Sequence, residues 1–271
     1  MIGGSDNGDA YPLLVGKAYL EPSVFRPQNL LREARRQRRL PDEPVPAVCL
    51  LDPDGDIVRY LAATGAGDRH RGWACYHTDM WVTDLDGIEV GVIGTAVGAP
   101  FAVLVAEQLA VSGAELVISI TSAGQLRALA DPPYFVLIEK AWRDEGTSAH
   151  YQPPAPWAHL PPQLQGPLTV ALAQGGLPDL VFVGASWTTD APYRETQTAI
   201  RAAVAASAVC VEMEAAALYA YAAARGRDVV CLAHITNTMA VTGEDFEKGA
   251  ANGAPAALDL AAAISRTLRA G

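Results

Sequence analysis

Two glutamates flank a methionine in Glu212-Met213-Glu214, directly after the apolar run 208–211 and at the mouth of an alanine-rich stretch that reaches Arg225. A carboxylate buried beside such neighbours is costly unless it meets donors, so the phrase calls for hydrogen-bond partners or a ligand. The helical pattern runs from about Met213 to Arg225, and Gly226 stands where a helix commonly stops. At helical spacing the two carboxylates point to different faces, which argues against a shared acid pair. The plainer alternative is that both acids simply favour the positive N-terminus of the helix.

Further segments carry groups that such a pair would work with. Gly94-Thr-Ala-Val-Gly-Ala-Pro-Phe101 follows a strand-like run and opens a helix. Its small residues let backbone amides approach an anion or a polar group, although close packing alone would also select them. A second turn, Ile118-Ser-Ile-Thr-Ser-Ala-Gly124, ends another strand with three hydroxyls. Two such turns suit a crevice beyond the carboxyl ends of a sheet, where α/β proteins bind ligands. Arg143-Asp-Glu-Gly-Thr-Ser-Ala-His-Tyr151 is a polar loop, and Trp187-Thr-Thr-Asp-Ala-Pro-Tyr-Arg-Glu-Thr196 combines aromatic faces with donors and acceptors, as a planar heterocycle requires. Thr189 or Asp190 also suits the N-cap of the helix that follows. His234-Ile-Thr-Asn-Thr-Met239 places Asn237 at a strand end, where asparagine is ordinarily a turn residue.

The elements that must position these groups can be read from apolar patterning. Runs at 47–51, 90–94, 116–120, 135–139, 180–183 and 229–233 have the length and composition of buried strands. Helical patterns cover 101–112, 195–206 and 213–225, and a last helix over 255–268 begins with proline at the tolerated first position. Strands alternating with helices predict an α/β fold with a mixed, largely parallel sheet. The Pro-rich stretch 152–167 reads as a surface excursion, residues 1–10 as a frayed tail, and 11–271 as a single domain.

Composition excludes several classes. A net charge of −10 argues against nucleic-acid binding, which needs a basic face. The one basic cluster, Arg32 to Arg39, reads as the solvated face of a short helix ending before Pro41. No apolar run is long enough to span a membrane, and the first residues lack the pattern of a signal peptide. Cys49, Cys75, Cys210 and Cys231 have no CxxC spacing and lie in apolar stretches, as expected of reduced core residues in a cytoplasmic protein.

Taken in order, the segments from Val90 to Asn237 resemble the nucleoside phosphorylase and nucleosidase superfamily. Glu212-Met213-Glu214 matches that family's ribose motif, in which the second glutamate holds the sugar hydroxyls and the methionine packs on the sugar. The turns around Thr95 and Gly98 and around Ser122 match its nucleophile-side loops. The Glu145-Gly-Thr-Ser and Trp187 phrases resemble a bacterial branch described as nucleoside or uridine phosphorylase-like. The resemblance implies a three-layer α/β sandwich around a mixed, partly barrel-like sheet, and trimers or hexamers with sites near subunit interfaces. It implies cleavage of a nucleoside by inorganic phosphate, or by water in the hydrolytic relatives, without metal or organic cofactor. A catalytically silent nucleoside-binding protein is the alternative from another class.

Chemistry and resemblance agree on roles. Glycosidic cleavage builds positive charge on the sugar, which a carboxylate at Glu214 would stabilise, and negative charge on the departing base. Asn237 stands where purine-cleaving members carry aspartic acid. An amide has no proton to give but both donates and accepts, which favours uracil and 6-oxopurines. Thr189, Asp190 and Tyr193 are the expected base contacts. The departures lie on the nucleophile side: Ser119 replaces the arginine of the phosphorylases, and no Gly-Asp-Pro phrase with its arginine is found between Gly16 and Arg26. Glu21 is the candidate for a water-activating acid. Arg69, Arg71 or His77 is expected to bring charge to a phosphate beside Ser122, Thr95 and Gly98.

Overall fold

The six apolar runs all form strands in the computed structural model, which describes residues 13–178, 180–239 and 245–269. The residues read as a tail, 1–10, lie outside the described residues. The first half contains α1 (Pro27–Arg38), β1 (Val48–Asp52), α2 (Asp56–Thr64), β2 (Asp68–Arg69), β3 (Trp81–Leu85), β4 (Ile88–Gly94), α3 (Ala99–Ser112) and β5 (Leu116–Gln125). There follow β6 (Tyr134–Asp144), β7 (Trp157–His159), α4 (Pro162–Ala173), β8 (Val181–Thr189), α5 (Gln197–Ala205), β9 (Ala208–Glu212), α6 (Ala215–Arg225), β10 (Asp228–Asn237) and α7 (Ala254–Arg269).

One mixed sheet joins them in the order β10-β6-β8-β9-β5-β1-β4-β3-β2, with β7 on β6. Because β10 also pairs with β5, the strands β10, β6, β8, β9 and β5 close into a barrel, as expected of a partly barrel-like sheet. The β1 strand has parallel partners on both edges and all of its residues are buried, which explains its unbroken apolar run. The step from β1 to β4 runs one way across the sheet, and the step from β4 back past β1 to β5 runs the other way. Since crossovers are right-handed, α2 and α3 lie on opposite faces, giving three layers. The helices α1 and α6 pack against α3, and α2 and α4 against α7. Eight consecutive residues of α6, Ala215 to Ala222, are buried, so their small side chains let α3 and the barrel close on both sides.

Two expectations are corrected. The Pro-rich stretch 152–167 is not a simple excursion, because it contains β7 and the first half of α4. Pro162 sits in the first turn, where its missing N–H costs nothing, and Pro167 faces solvent while Leu164, Leu168 and Ala171 form a buried stripe. Thr196, not Thr189 or Asp190, caps α5, accepting from the Ala199 amide at 3.2 Å.

The α6 helix is tied to the barrel by Tyr219, whose buried hydroxyl donates to the Ile138 carbonyl beside a register shift in β6 and accepts from the Cys231 amide at 3.1 Å. Tyr219→Phe is expected to lower stability in urea unfolding by about 1–3 kcal/mol, since both backbone groups lose a partner in a dry site.

Candidate active site

Strand lengths open a gap. On one edge, β5 pairs with β10 from Leu116 to Gly124. On the other edge β1 covers it only to Ser119, and β9 takes over at Gly124. The intervening edge has no strand neighbour, and loops from the ends of β1, β4 and β9 converge on it. The Ser122 amide donates to Asp54 Oδ2 at 2.7 Å, and among the described residues the buried Ser122 hydroxyl has no partner. Asp52 builds the loop that carries Asp54, accepting from the Gly55 and Val58 amides at 3.1 and 3.0 Å. Burial pushes the Asp52 carboxyl up to about 6, against the Val58 amide.

Neither glutamate of the acidic phrase lies within the helix. Glu212 ends β9, and Glu214 is the N-cap of α6, reached after a bend, so both carboxylates enter the same buried region. The expectation that they diverge fails because strand and bend geometry replace helical spacing. Glu212 Oε2 accepts from the amides of Glu214 and Ala215, each at 2.7 Å, and Oε1 accepts from the hydroxyls of Ser186 (2.9 Å) and Thr188. Thr188 Oγ1 also accepts from the Ala216 amide at 3.0 Å, so Glu212 and Thr188 satisfy the free donors at the start of α6. Glu212 therefore caps the helix, with both of its oxygens engaged by amides and hydroxyls of the chain. Glu214 is different. Its Oε1 accepts from the Gly98 amide at 2.6 Å, and among the described residues its buried Oε2 has no hydrogen-bond partner, although the Thr121 side chain lies near the carboxylate. Burial first, and the charge of Glu212 second, push the Glu214 carboxyl up to about 8, opposed by the Gly98 amide. Met213, between them, is half-buried.

The other sequence candidates divide. Gly98, at φ +88°, aims its amide at Glu214, so this amide is not free for phosphate. The Thr95 amide is likewise taken, by the Asp52 carbonyl at 3.0 Å, although its side chain is exposed. His77 meets the first turn of α3 through an edge-on contact with Phe101, with ring centroids 6.3 Å apart. Arg71 is exposed, beside Gly72, which packs on Glu43 in the segment leading to the amino end of β1. Arg69 is held by Asp79 at 3.0 Å, and Glu21 is exposed ahead of α1.

The cation that sequence reading missed is Arg59. Its Nη1 and Thr95 Cγ2 each lie 2.9 Å from the point where a Cβ on Gly55 would stand, so the guanidinium borders the Thr95 turn. It pairs with Asp56 at 2.7 Å, and Lys248 holds the other oxygen of Asp56 at 2.6 Å. The signal was the phrase Asp52-Pro53-Asp54 followed by Arg59. It occurs after β1, not between Gly16 and Arg26.

On the base side, Asn237 lies opposite Gly124 in the β5–β10 pairing. Its Oδ1 accepts from the Met239 amide at 2.9 Å and its Nδ2 donates to Thr236 Oγ1 at 3.2 Å, so it makes the local turn contacts typical of asparagine. A Cβ on Gly124 would stand 2.7 Å from Met239 Sδ and 3.3 Å from a Val211 methyl, so the Met239 side chain packs over this glycine. The Trp187 phrase does not form one covering loop. Trp187 is buried with its Nε1 on Asp144 at 2.9 Å, and Thr189 is buried and accepts from the Ala191 amide. Asp190 accepts from the Gly146 amide at 2.8 Å, and Tyr193 is fully exposed.

A raised carboxyl in the folded state binds its proton more tightly than in the unfolded chain, so it costs stability as pH rises from about 4.5 through about 8. Glu214→Gln keeps an acceptor for the Gly98 amide without that cost. Its melting temperature is expected to match the parent's at pH 4 and to exceed it by several degrees at pH 9, as read by thermal unfolding at both pH values.

Comparison with known proteins agrees with this architecture. Residues 50–268 match the model of the phosphorylase superfamily. The structure is similar to purine nucleoside phosphorylase from Toxoplasma gondii in complex with immucillin-H, with TM-score 0.68, 16% identity, and coverage of 85% of this chain and 95% of that one. It is also similar to uridine phosphorylase from Vibrio fischeri ES114 complexed with 6-hydroxy-1-naphthoic acid, with TM-score 0.65, 18% identity, and coverage of 87% and 94%. No curated protein matches the sequence. With the family model spanning the gap, the Glu212–Glu214 phrase and α7, the chain belongs to the phosphorylase superfamily.

Proposed function

We propose that this protein cleaves the N-glycosidic bond of a nucleoside, transferring the ribosyl group to phosphate and releasing a 6-oxopurine or uracil. The observation that carries this reading is Glu214, buried at the gap with one oxygen anchored on the Gly98 amide and the other, also buried, without a hydrogen-bond partner among the described residues. Ribose hydroxyls donating to that oxygen favour the charged carboxylate, which then faces the cation growing on the sugar. Met213 supplies the apolar floor. Asn237, holding its turn contacts, has a second amide hydrogen and a second carbonyl lone pair to meet the polar edge of the base. Phosphate would enter beside the Ser122 hydroxyl and Arg59, displacing Asp54 from the Ser122 amide. The exposed Leu20, Val24, Phe25 and Tyr193 support assembly of several copies around the site, as a trimer or hexamer.

A second reading, hydrolysis, is favoured by one contact: the carboxylate of Asp54 already occupies the Ser122 amide. There Asp54 would take a proton from water as the oxygen bonds to the sugar and the base departs with the bonding pair. Base release from a nucleoside panel, without phosphate and with rising phosphate, tests both. Phosphorolysis gives ribose 1-phosphate, with a half-saturating phosphate concentration that is high among these aspartates and rises further in Arg59→Ala. Free ribose formed at a rate indifferent to phosphate, and lost in Asp54→Asn, establishes hydrolysis instead. Binding of a nucleoside with no base release leaves a binding protein.

Two further outcomes are expected in the same assay. Glu214→Gln lowers turnover by about two to four orders of magnitude, and kcat/KM of the parent rises with pH through about 8 as Glu214 ionises. Asn237→Asp shifts the ratio of rates toward adenosine, whose base gains from a proton donor.

A further inference from the structure

We propose that Glu212 is a positioning residue that governs the charge on Glu214: its donors fix a negative charge beside Glu214, so that near neutral pH Glu214 ionises fully only when a ligand supplies hydroxyl donors. This rests on the reading that Glu214 receives the ribose.

The geometry assigns the two charges unequally. Both N–H groups on Glu212 Oε2 are backbone donors, and the Thr188 hydroxyl, accepting from the Ala216 amide, has its single proton left for Glu212 Oε1. Ser186, fully buried, completes the set. Burial pushes Glu212 up as well, but donors on every side favour its ionised form. Glu214 has one amide donor, on Oε1, and the Thr121 hydroxyl of β5 nearby also favours its ionised form, but among the described residues its Oε2 lies beyond hydrogen-bonding reach of any partner, so it has fewer donors than Glu212.

No compensating cation reaches either group: among the described residues, no ion pair includes Glu212 or Glu214. The groups facing the pair are Cys210 from β9, Cys231 from β10 and Tyr219 from α6, all kept neutral by burial. Asp54 from the loop after β1 adds a second negative charge near Glu214. In so dry a site the second of two adjacent carboxyls ionises with difficulty, and the donor count decides which one is second.

The test is a titration of the whole protein carrying 13C-carboxyl glutamate, with the Glu214 signal assigned by its loss in Glu214→Gln. In the parent, Glu214 should titrate in the alkaline range. In Glu212→Gln, which keeps an acceptor for the two amides, its midpoint should fall by about one pH unit or more. Ser186→Ala leaves the cap of α6 intact but removes one donor from Glu212. It should shift the Glu214 midpoint the same way by a smaller amount, and it decides the question if Glu212→Gln does not fold. A midpoint unchanged in Ser186→Ala and in any folded Glu212→Gln overturns the proposal. The ascending limb of the kcat/KM profile should move with the midpoint, whereas a purely structural Glu212 would lower the plateau and leave the limb in place. If the midpoint moves but no nucleoside is cleaved, the coupling stands and the functional reading falls. If nucleosides are cleaved and neither midpoint nor limb moves, the coupling falls and the functional reading stands.

Discussion

The site exists because β5 is longer than the strand beside it. A buried strand edge must satisfy its backbone groups, and where β1 has ended and β9 has not begun, the partners must come from loops. Asp54 meets the Ser122 amide, and the turn after β4 sends Gly98 toward Glu214. Opposite crossover directions on the two sides of β1 leave this crevice uncovered by either helix layer. Barrel closure then brings β9, and with it Glu212 and Glu214, across to the same edge.

The electrostatics of the crevice follow from what fills it. Asp52, Asp54 and Asp56 crowd the nucleophile side, and the cations there, Arg59 and Lys248, are both engaged by Asp56. An incoming phosphate dianion has to displace one carboxylate and compete for a guanidinium already paired. Water has neither task. The tension between phosphorolysis and hydrolysis thus reduces to whether the contact of Asp54 with Ser122 yields to phosphate.

Much of the fold was legible in the sequence because buried strands and amphipathic helices write themselves as apolar runs. Among the missed elements, β2 has two exposed residues, β3 is half exposed and α4 was masked by its prolines, whereas the short α2 and the fully buried β9 were missed despite their apolar residues. Within the candidate site, the polar motifs together with the family resemblance pointed to Glu214, Ser122 and Asn237. Composition did not separate the roles of Glu212 and Glu214, because that depends on a strand ending at Glu212 and a helix beginning at Ala215. Arg59 was hidden for a related reason, since its place at the Thr95 turn arises from α2 folding back over Gly55. Loop residues such as Tyr193 were chosen for their chemistry, yet their exposure in a single chain is a property of tertiary packing that side-chain type does not encode.

The lack of a cation at the glutamate pair is itself informative. An arginine beside Glu214 would ionise it and settle the buried charge, but it would also occupy the oxygen that now lacks a partner. The protein instead stabilises the neighbouring carboxylate with two amides and two hydroxyls, which carry no net charge and leave Glu214 open. The same contacts satisfy the first amides of α6, so the helix whose burial closes the three layers cannot start in place without them. Folding and the electrostatics of the site therefore use one carboxylate. The Glu214 oxygen that lacks a partner among the described residues is the residual cost of that arrangement, and under the proposed function a donor from the sugar would remove it.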